Sequence, residues 1–249
     1  MKITVITVCF NAASTIKKTL DSVAFQTYPS IEHIVIDGDS KDGTLGILKS
    51  HEAQFSSLLS EPDNGVYDAM NKGLRLATGD IIGFLNADDV FAHPNVLADI
   101  ATAFIDENIQ AIFGDVEYFP AHNPRKTLRK YRSNKFSPKK LQMGMMPAHP
   151  TLYMRRGVYE QYGLFNPDYK IAGDFEFISR VFKIPSISYL YMPEVMVRMQ
   201  TGGLSNSGIK SSILINREIK KACKENAIPT NSLKLWLRYP LKLPEWLSL

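Results

Sequence analysis

The chain has 249 residues, of which 45% are hydrophobic, 22% charged and 10% aromatic. This ordinary globular composition excludes a disordered chain, a collagen and a coiled coil, and the length fits one α/β domain or at most two domains. The net charge of +4 is too small to indicate a nucleic-acid-binding protein. The charge is uneven, however, because residues 1–117 carry a net −10 and residues 118–159 a net +10.

The first 115 residues alternate between apolar runs and amphipathic segments. The apolar runs are unbroken, which is typical of strands buried on both faces of a parallel sheet. Strands are predicted at Ile3–Phe10, His33–Ile36, Leu58–Ser60 and Ile81–Leu85, and helices at 14–25, 44–52, 68–77 and 93–104. This order predicts an α/β fold with a doubly wound, mainly parallel, Rossmann-like sheet flanked by helices.

The pattern changes after residue 117. Residues 118–147 are basic and interrupted by prolines, short strands are predicted at 151–154 and 187–191, and a helix at 174–182. A lysine-rich helix is predicted at 208–226, and the last 17 residues are rich in Leu, Trp, Lys and Arg. We therefore expect one domain over 1–207, with halves 1–117 and 118–207, and a C-terminal helical extension over 208–249.

The two cysteines, Cys9 and Cys223, have no metal-type spacing and fit a reducing compartment. The N-terminus enters a strand directly, without the pattern of a signal peptide. The sequence has no run of about 18 apolar residues that would indicate a membrane-spanning helix. We therefore expect a cytoplasmic protein.

Polar residues follow each of the first four predicted strands. They are Asn11, which follows Phe10 at the end of the first strand, the turn Asp37–Thr44, the turn Glu61–Gly65, and Asn86–Asp89. In an open α/β sheet, ligands bind at this carboxyl edge, and clustered carboxylates there usually hold a cation. Each residue alone also has a local explanation: Asp42-Gly43 as a turn, Asp88-Asp89 and Asp174 as helix caps, and Lys72 as a solvated charge.

The chain carries, in order, TVITVCFN at 4–11, VIDGDSKDGT at 35–44, SEPDNGVYDAMNKG at 60–73, ATGD at 77–80 and FLNADD at 84–89. Over roughly residues 1–205 this series resembles the glycosyltransferases of family 2, which have the GT-A fold. The stretch at 63–73 is similar to that of bacterial colanic-acid and exopolysaccharide-type transferases.

The resemblance implies a nucleotide-sugar site, with a UDP-sugar favoured. Asp37 would accept hydrogen bonds from the base, Phe10 and Asn11 would line the base and ribose, Asp63 would complete the uridine side, and Lys72 would approach the diphosphate. The nucleotide-sugar-binding residues expected on this ground are Thr7, Phe10, Asn11, Asp37, Asp63, Lys72, Asn86, Ala87 and Asp88.

The same resemblance implies a bound Mn²⁺ or Mg²⁺. Asp88 matches the second acid of the family's Asp-x-Asp motif, which holds the ion between the phosphates. Asn86 stands at the first acid position, where it keeps a carbonyl oxygen but loses a charge. Asp89 either compensates for that charge or caps the next helix.

Inverting transfer needs a carboxylate that removes the proton of the acceptor hydroxyl. Asp174 lies where the family's catalytic acid falls, and Glu176 is the fallback, with a structural role the stronger interpretation. His149 lies at the acceptor side, where contact with phosphate, metal or acceptor and a buried structural role both stay open. Gly202–Ser205 resembles the loop that closes over the donor, although an ordinary turn explains it equally well.

The resemblance therefore implies an inverting, metal-dependent glycosyltransferase that acts on a lipid-linked or growing surface-polysaccharide acceptor and binds no nucleic acid. The basic stretch 125–132 and the tail 233–247 fit an anionic acceptor and the inner face of the cell membrane. Two other interpretations stay open: the basic stretch is a solvated face, and the tail packs on the domain. The alternatives are a non-catalytic GT-A protein that binds nucleotide or a partner and, more weakly, a sugar nucleotidyltransferase, whose Gly-rich signature is missing after the first strand.

Overall fold

The computed structural model describes residues 1–201 and 209–242, so the predicted donor loop at 202–205 and the end of the tail lie outside the described residues. The strands are β1 (Ile3–Cys9), β2 (Ile31–Asp37), β3 (Ser57–Ser60), β4 (Ile81–Phe84), β5 (Asp89–Phe91), β6 (Ala111–Phe119), β7 (Arg129–Tyr131), β8 (Tyr153–Arg155) and β9 (Tyr189–Gln200). The helices are α1 (Ile16–Ala24), α2 (Thr44–Ser50), α3 (Val66–Leu76), α4 (Val96–Ala103), α5 (Arg156–Tyr162), α6 (Gly173–Phe182), α7 (Ile209–Glu225) and α8 (Ser232–Lys242).

The strands form one sheet in the order β3-β2-β1-β4-β8-β6-β9-β5, with β7 paired to β6. The four strands β3, β2, β1 and β4 are parallel, and these are the strands that the sequence predicts. Beyond β4 the sheet is mixed, because β8 runs antiparallel to both β4 and β6 while β6 and β9 are parallel. The predicted α/β class is confirmed, and the parallel part carries the carboxyl edge described below.

The hydrophobic core extends from the sheet into the C-terminal helices. Strand β1 is buried along its whole length. Ile219, Ala222 and Cys223 of α7 and Leu235 of α8 are also buried, in the same cluster as Ile6 of β1. Helix α7 and one face of α8 therefore pack on the rest of the protein.

The structure fixes the starts of two of the predicted helices. Helix α1, predicted from residue 14, begins at Ile16, and Thr15 precedes it. Asp89 does not cap the helix that follows, because it lies in β5, and Asn95 precedes α4.

Within residues 1–201 and 209–242, no helix combines the length and the apolar character that crossing a bilayer requires.

Candidate active site

The four parallel strands end at one edge of the sheet. Backbone hydrogen bonds join the residues just past these ends: Gly38 donates to Cys9, Glu61 to Asp37 and Leu85 to Ile6. The turns that follow β1, β2, β3 and β4 therefore lie side by side, as expected for parallel strands. This edge gathers Phe10, Asn11, Asp37, Asp63 and the Asn86–Asp89 segment.

Asp37 is fully buried and links the turns after β2 and β3. Its carboxylate accepts hydrogen bonds from the hydroxyls of Ser40, at 2.5 Å, and Ser60, at 2.7 Å. The Ser40 hydroxyl in turn accepts the backbone N–H of Asn11 at 2.8 Å. Asp37 therefore fixes the relative positions of three turns. Sequence reasoning missed the two serines because their role is set by strand pairing.

The turn after β1 is held in an unusual conformation. Asn11 has a φ of +50°, and its side-chain oxygen accepts the backbone N–H of Lys41 at 2.9 Å. Asn tolerates this left-handed region better than most residues. Asp42 accepts hydrogen bonds from Ala13 and Thr44, which lower its pKa and hold the start of α2 beside the same turn. Asp42 thus acts as a turn and cap residue.

Phe10, Gly38 and Asp63 form one open wall. The Phe10 side chain is 63% exposed, which is high for an aromatic residue. A Cβ atom on Gly38 would lie 2.3 Å from Asp63 Oδ2 and 3.4 Å from a Phe10 ring carbon, so the three residues are in close contact. An exposed aromatic face beside a carboxylate offers a stacking surface and a hydrogen-bond acceptor to a planar base.

Lys72 is not a solvated charge. Its side chain is only 13% exposed, and its ammonium lies 2.9 Å from Glu61 Oε1 and donates to the Pro62 carbonyl at 2.7 Å. Lys72 therefore holds the segment that leads from β3 into Asp63. In this structure it positions the turn.

The Asn86–Asp89 segment carries side-chain oxygens without donors. Among the described residues, no hydrogen-bond donor faces Asn86 Oδ1 or Asp89 Oδ1, although both atoms are buried. Asn86 Nδ2 lies 3.5 Å from Asp89 Oδ2. Burial raises the pKa of Asp88, and burial together with the charge of Asp88 raises that of Asp89. A buried acceptor without a donor is costly, and a hard cation would satisfy these oxygens. The residues present therefore fit a divalent ion.

A second group of potential metal ligands lies elsewhere. Among the described residues, ligand atoms of His93, Asp99 and Glu194 lie within 4.8 Å of one another. This group is separate from the predicted ligand, Asp88.

Asp174 lies in the first turn of α6 and is partly exposed. Its Oδ1 accepts the backbone N–H of Phe175 at 2.7 Å, and the Tyr67 hydroxyl lies 3.5 Å away. Burial raises the pKa of Asp174 to about 6, with a smaller contribution from the charge of Glu218. A carboxylate that titrates near neutrality suits a general base.

Glu176 is fully engaged with structural partners. It is buried, and the Arg180 guanidinium holds both of its oxygens, at 2.8 and 2.9 Å. Asn226, directly after α7, also donates to it, at 3.3 Å. This geometry favours the structural interpretation of Glu176.

His149 and two other predicted residues are packed into the interior. The His149 ring stacks on Phe84, with centroids 5.6 Å apart, and burial lowers its pKa to about 4. Thr7 is buried, and its hydroxyl lies 3.0 Å from His33 Nε2, so its side chain is not at the carboxyl edge. Ala87 packs into the core beside α1.

The basic stretch is partly paired. The Lys130 ammonium lies 2.8 Å from Glu117 Oε1, and the Arg129 guanidinium lies 4.8 Å from the centre of the Tyr118 ring. Arg125 and Lys126, in contrast, are exposed. The stretch therefore combines structural pairs along β7 with a solvated cationic end.

Helix α8 has two different faces. Leu235 and Arg238 are buried against the domain, and Arg238 donates to Asn216 of α7 at 3.0 Å. The other face exposes Leu233 (69%), Trp236 (68%) and Leu237 (47%). One face of the tail thus packs on the domain, and the other presents apolar side chains to solvent.

The sequence of the chain is similar to those of bacterial glycosyltransferases. The family model described as "Glycosyl transferase family 2" matches residues 4–163. The chain is 33% identical over 210 residues to a "PGL/p-HBAD biosynthesis glycosyltransferase" of Mycobacterium tuberculosis, covering 82% of this chain and 79% of that protein. It is 32% identical over 116 residues, 46% of each chain, to the Escherichia coli "UDP-Glc:alpha-D-GlcNAc-diphosphoundecaprenol beta-1,3-glucosyltransferase WfgD".

Two solved structures share the fold at 20% identity and a TM-score of 0.67. Staphylococcus aureus TarS 1–349 in complex with UDP-GlcNAc covers 89% of this chain, which spans 66% of that structure. The mannosyltransferase PcManGT of Pyrobaculum calidifontis, in complex with GDP-Man and Mn²⁺, covers 92% of this chain, which spans 65% of that structure. These similarities confirm the predicted GT-A fold.

Proposed function

The chain belongs to glycosyl transferase family 2, and on that premise we propose that it transfers a sugar with inversion from a UDP-sugar to a lipid-linked or growing surface-polysaccharide acceptor. The observation that carries the proposal is the group of donorless oxygens at Asn86–Asp89, at the same sheet edge as Phe10 and Asp63. A base-stacking wall and a cation site at one edge are what a nucleotide diphosphate needs.

The donor side is assigned from the open wall at Phe10. The base stacks on the Phe10 ring, and Asp63 accepts a hydrogen bond from the base or ribose. Asp37 supports the wall from beneath, because its carboxylate is already occupied by Ser40 and Ser60. Structural neighbours in complex with UDP-GlcNAc and GDP-Man support a nucleotide sugar as the donor, and a UDP-sugar is the donor that we propose.

A divalent cation, Mn²⁺ or Mg²⁺, belongs at Asp88. Burial raises the pKa of the Asp88 carboxyl, and Asn86 Oδ1 and Asp89 Oδ1 offer two further hard oxygens. Such an ion supplies charge neutralisation to the departing diphosphate. Because Asn86 is neutral, the pair Asn86 and Asp88 carries one negative charge fewer than the family's acidic pair. We infer that Asp89 restores the lost charge.

The reaction requires one proton acceptor, and we assign this role to Asp174. The acceptor hydroxyl oxygen forms a bond to the anomeric carbon while the bond from that carbon to the diphosphate oxygen breaks. The hydroxyl proton passes to the Asp174 carboxylate, and the bonding electrons leave with the nucleotide. Attack from the face opposite the leaving group inverts the configuration. Glu176 is unsuitable because Arg180 holds both of its oxygens.

The acceptor side is assigned to the basic half and the exposed face of α8. The Escherichia coli relative is named for a diphosphoundecaprenol acceptor, which is anionic and held in a membrane. Exposed Leu233, Trp236 and Leu237, with lysines and arginines nearby in the sequence, suit the membrane interface. We therefore propose peripheral binding at the inner face of the cell membrane.

The test uses a panel of UDP- and GDP-sugars, with Mn²⁺, Mg²⁺ or EDTA, and measures nucleotide release with a lipid diphosphate acceptor. We expect release from a UDP-sugar that depends on the ion and falls in Asp88→Ala. The matched control is Asp99→Ala, which alters the second ligand group and should keep the metal requirement. Failure to consume any donor under any metal would overturn the proposal and favour the non-catalytic alternative. A fall in metal-dependent release in Asp99→Ala, with Asp88→Ala unaffected, would instead move the ion to that second group.

A further inference from the structure

Glu218 of α7 is a buried carboxylate whose hydrogen-bond donors, among the described residues, are backbone N–H groups. It is 7% exposed, and its oxygens accept three consecutive backbone N–H groups. Lys170 donates to Oε1 at 2.9 Å, while Ile171 and Ala172 donate to Oε2 at 2.9 and 2.8 Å. Hydrogen bonds to an ionised acceptor are about twice as strong as neutral ones. One side chain of the extension therefore fixes the loop at 170–172.

This loop leads directly into the first turn of α6, where Asp174 lies. Tyr67 of α3 holds the same loop from the other side, because its hydroxyl donates to the Ile171 carbonyl at 2.6 Å. The space between them is tight, since a Cβ atom on Gly173 would lie 2.7 Å from the Tyr67 ring. The backbone before Asp174 is thus fixed from two helices that are distant in sequence.

We propose that Glu218 is a positioning residue that holds the 170–172 loop so that the Asp174 carboxylate stays aligned with the acceptor hydroxyl. The inference rests on the proposed function, in which Asp174 is the general base. It makes α7 part of the catalytic apparatus, in addition to its place in the core. It also gives the chain beyond residue 208 a role that membrane attachment does not require.

The test is Glu218→Gln in the full-length protein. A glutamine has nearly the same shape but offers one acceptor oxygen and one NH₂ group, so at least one of the three amides loses its acceptor. Because small misplacements of a catalytic group are costly, we expect kcat to fall by about 10- to 100-fold, with a smaller change in donor KM. The matched control is Glu225→Gln on the same helix. Glu225 is exposed, and a glutamine there can still accept the Tyr169 hydroxyl.

Amide hydrogen exchange reports the loop contacts without relying on activity. In the wild type, the Lys170 amide should exchange at least about 100-fold more slowly than in a free chain, although Lys170 is an exposed residue. Glu218→Gln should accelerate the 170–172 amides while Ala222 and Cys223 in α7 keep their protection. Free-chain exchange of Lys170 in the wild type would overturn the inference without any variant.

The pH profile separates positioning from general loss of structure. The titratable groups that act on Asp174 are the Tyr67 hydroxyl from α3 and the Glu218 carboxylate from α7. Removing the Glu218 charge lowers the pKa of Asp174, so the rise of kcat with pH should shift to lower pH in Glu218→Gln. A purely structural defect would lower kcat equally at every pH.

Asp174→Asn distinguishes the two possible failures. If Asp174→Asn is inactive and Glu218→Gln has wild-type kcat, the positioning role is wrong and the assignment of the base stands. If Asp174→Asn keeps full activity, the assignment of the base is wrong, and the positioning role fails with it. A lowered kcat, exposed 170–172 amides and a shifted pH profile, all absent from Glu225→Gln, would establish the positioning role.

Discussion

Asn86 is the position where this chain departs from an acidic pair, and Asn86→Asp tests the cation site directly. The substitution places a second carboxylate where the Asn86 amide now lies, 3.5 Å from Asp89 Oδ2. Asp89 is fully buried, and its pKa is already raised by burial and by Asp88. The new charge therefore enters a site that already disfavours the charges it holds.

The size of the effect follows from this distance. Two unit charges about 4 Å apart repel by about 4 kcal/mol at an effective dielectric constant of 20. Proton uptake by Asp89 relieves part of this, so we expect a loss of about 2–4 kcal/mol at pH 8 in EDTA. For a chain of this size that is a decrease in Tm of roughly 5–15 °C. The loss should become smaller as the pH is lowered, because the raised pKa of Asp89 favours proton uptake there and removes the repulsion.

The assay is thermal unfolding of the wild type, Asn86→Asp and Asn86→Ala, each in EDTA and in Mn²⁺. A cation at 100 times its Kd adds about 2.7 kcal/mol of stability, so Mn²⁺ should restore most of the stability of Asn86→Asp. Asn86→Ala adds no charge and removes one oxygen ligand. It should therefore keep a near-normal Tm in EDTA and gain less than the wild type from Mn²⁺.

Equal Tm values for Asn86→Asp and the wild type in EDTA would refute the reasoning from charge crowding. Equal Mn²⁺ shifts in all three proteins would show that the ion binds away from Asn86. The ligand group at His93, Asp99 and Glu194 would then be the site to test.

Three further predictions concern stability and attachment. Arg180→Ala leaves the buried Glu176 carboxylate without its guanidinium and should lower the free energy of unfolding in urea by about 3–5 kcal/mol, whereas Arg156→Ala, at an exposed pair with Glu160, should change it by less than about 1 kcal/mol. His149 has a folded pKa of about 4, below its unfolded value, so its contribution to the free energy of unfolding is present above about pH 6.5 and is lost as the pH falls toward 4. His149→Phe should therefore reduce the loss of stability between pH 7 and pH 4.5, measured by urea titration, by about 2 kcal/mol. An unchanged loss would mean that the ring titrates normally. Leu233→Ser with Trp236→Ser should reduce sedimentation with anionic vesicles at an unchanged Tm, because both side chains are exposed on α8, and undiminished sedimentation would contradict the membrane role.

The carboxyl edge was predictable because its signals are local. Unbroken apolar runs predict the parallel strands, and the polar residues directly after them must lie together once the strands are parallel. The same logic places Phe10, Asp63 and the Asn86–Asp89 segment at one edge. It cannot say which side chains there face inward, and so Asp37 proves to be buried and bonded to two serines.

The second half of the sheet was less predictable. Pro193 cannot donate to a β-ladder and favours ending the strand at Tyr191. The structure continues β9 to Gln200, because register shifts in its pairing with β6 near Asp115 accommodate the irregularity. Strand β7 lies inside the basic stretch and has no apolar alternation of its own.

The sequence pattern did not indicate the long-range side-chain contacts. Glu218 lies more than 45 positions along the chain from the three backbone amides whose hydrogen bonds it accepts, and its neighbours in sequence form an ordinary lysine-rich helix. Lys72 similarly reads as a solvated charge until the fold places Glu61 and Pro62 beside it.

The most direct test of the proposed reaction is glycosyl transfer by Asp174→Asn. With the UDP-sugar that the wild type consumes, we predict that kcat falls by at least about 100-fold. UDP affinity in Mn²⁺ should stay within about threefold, since the role proposed for Asp174 is toward the acceptor hydroxyl and not toward the base or the diphosphate. In the wild type, kcat should rise with pH through a pKa of about 6. Wild-type turnover by Asp174→Asn, with the same dependence on pH, would contradict the central claim that this carboxylate removes the acceptor proton.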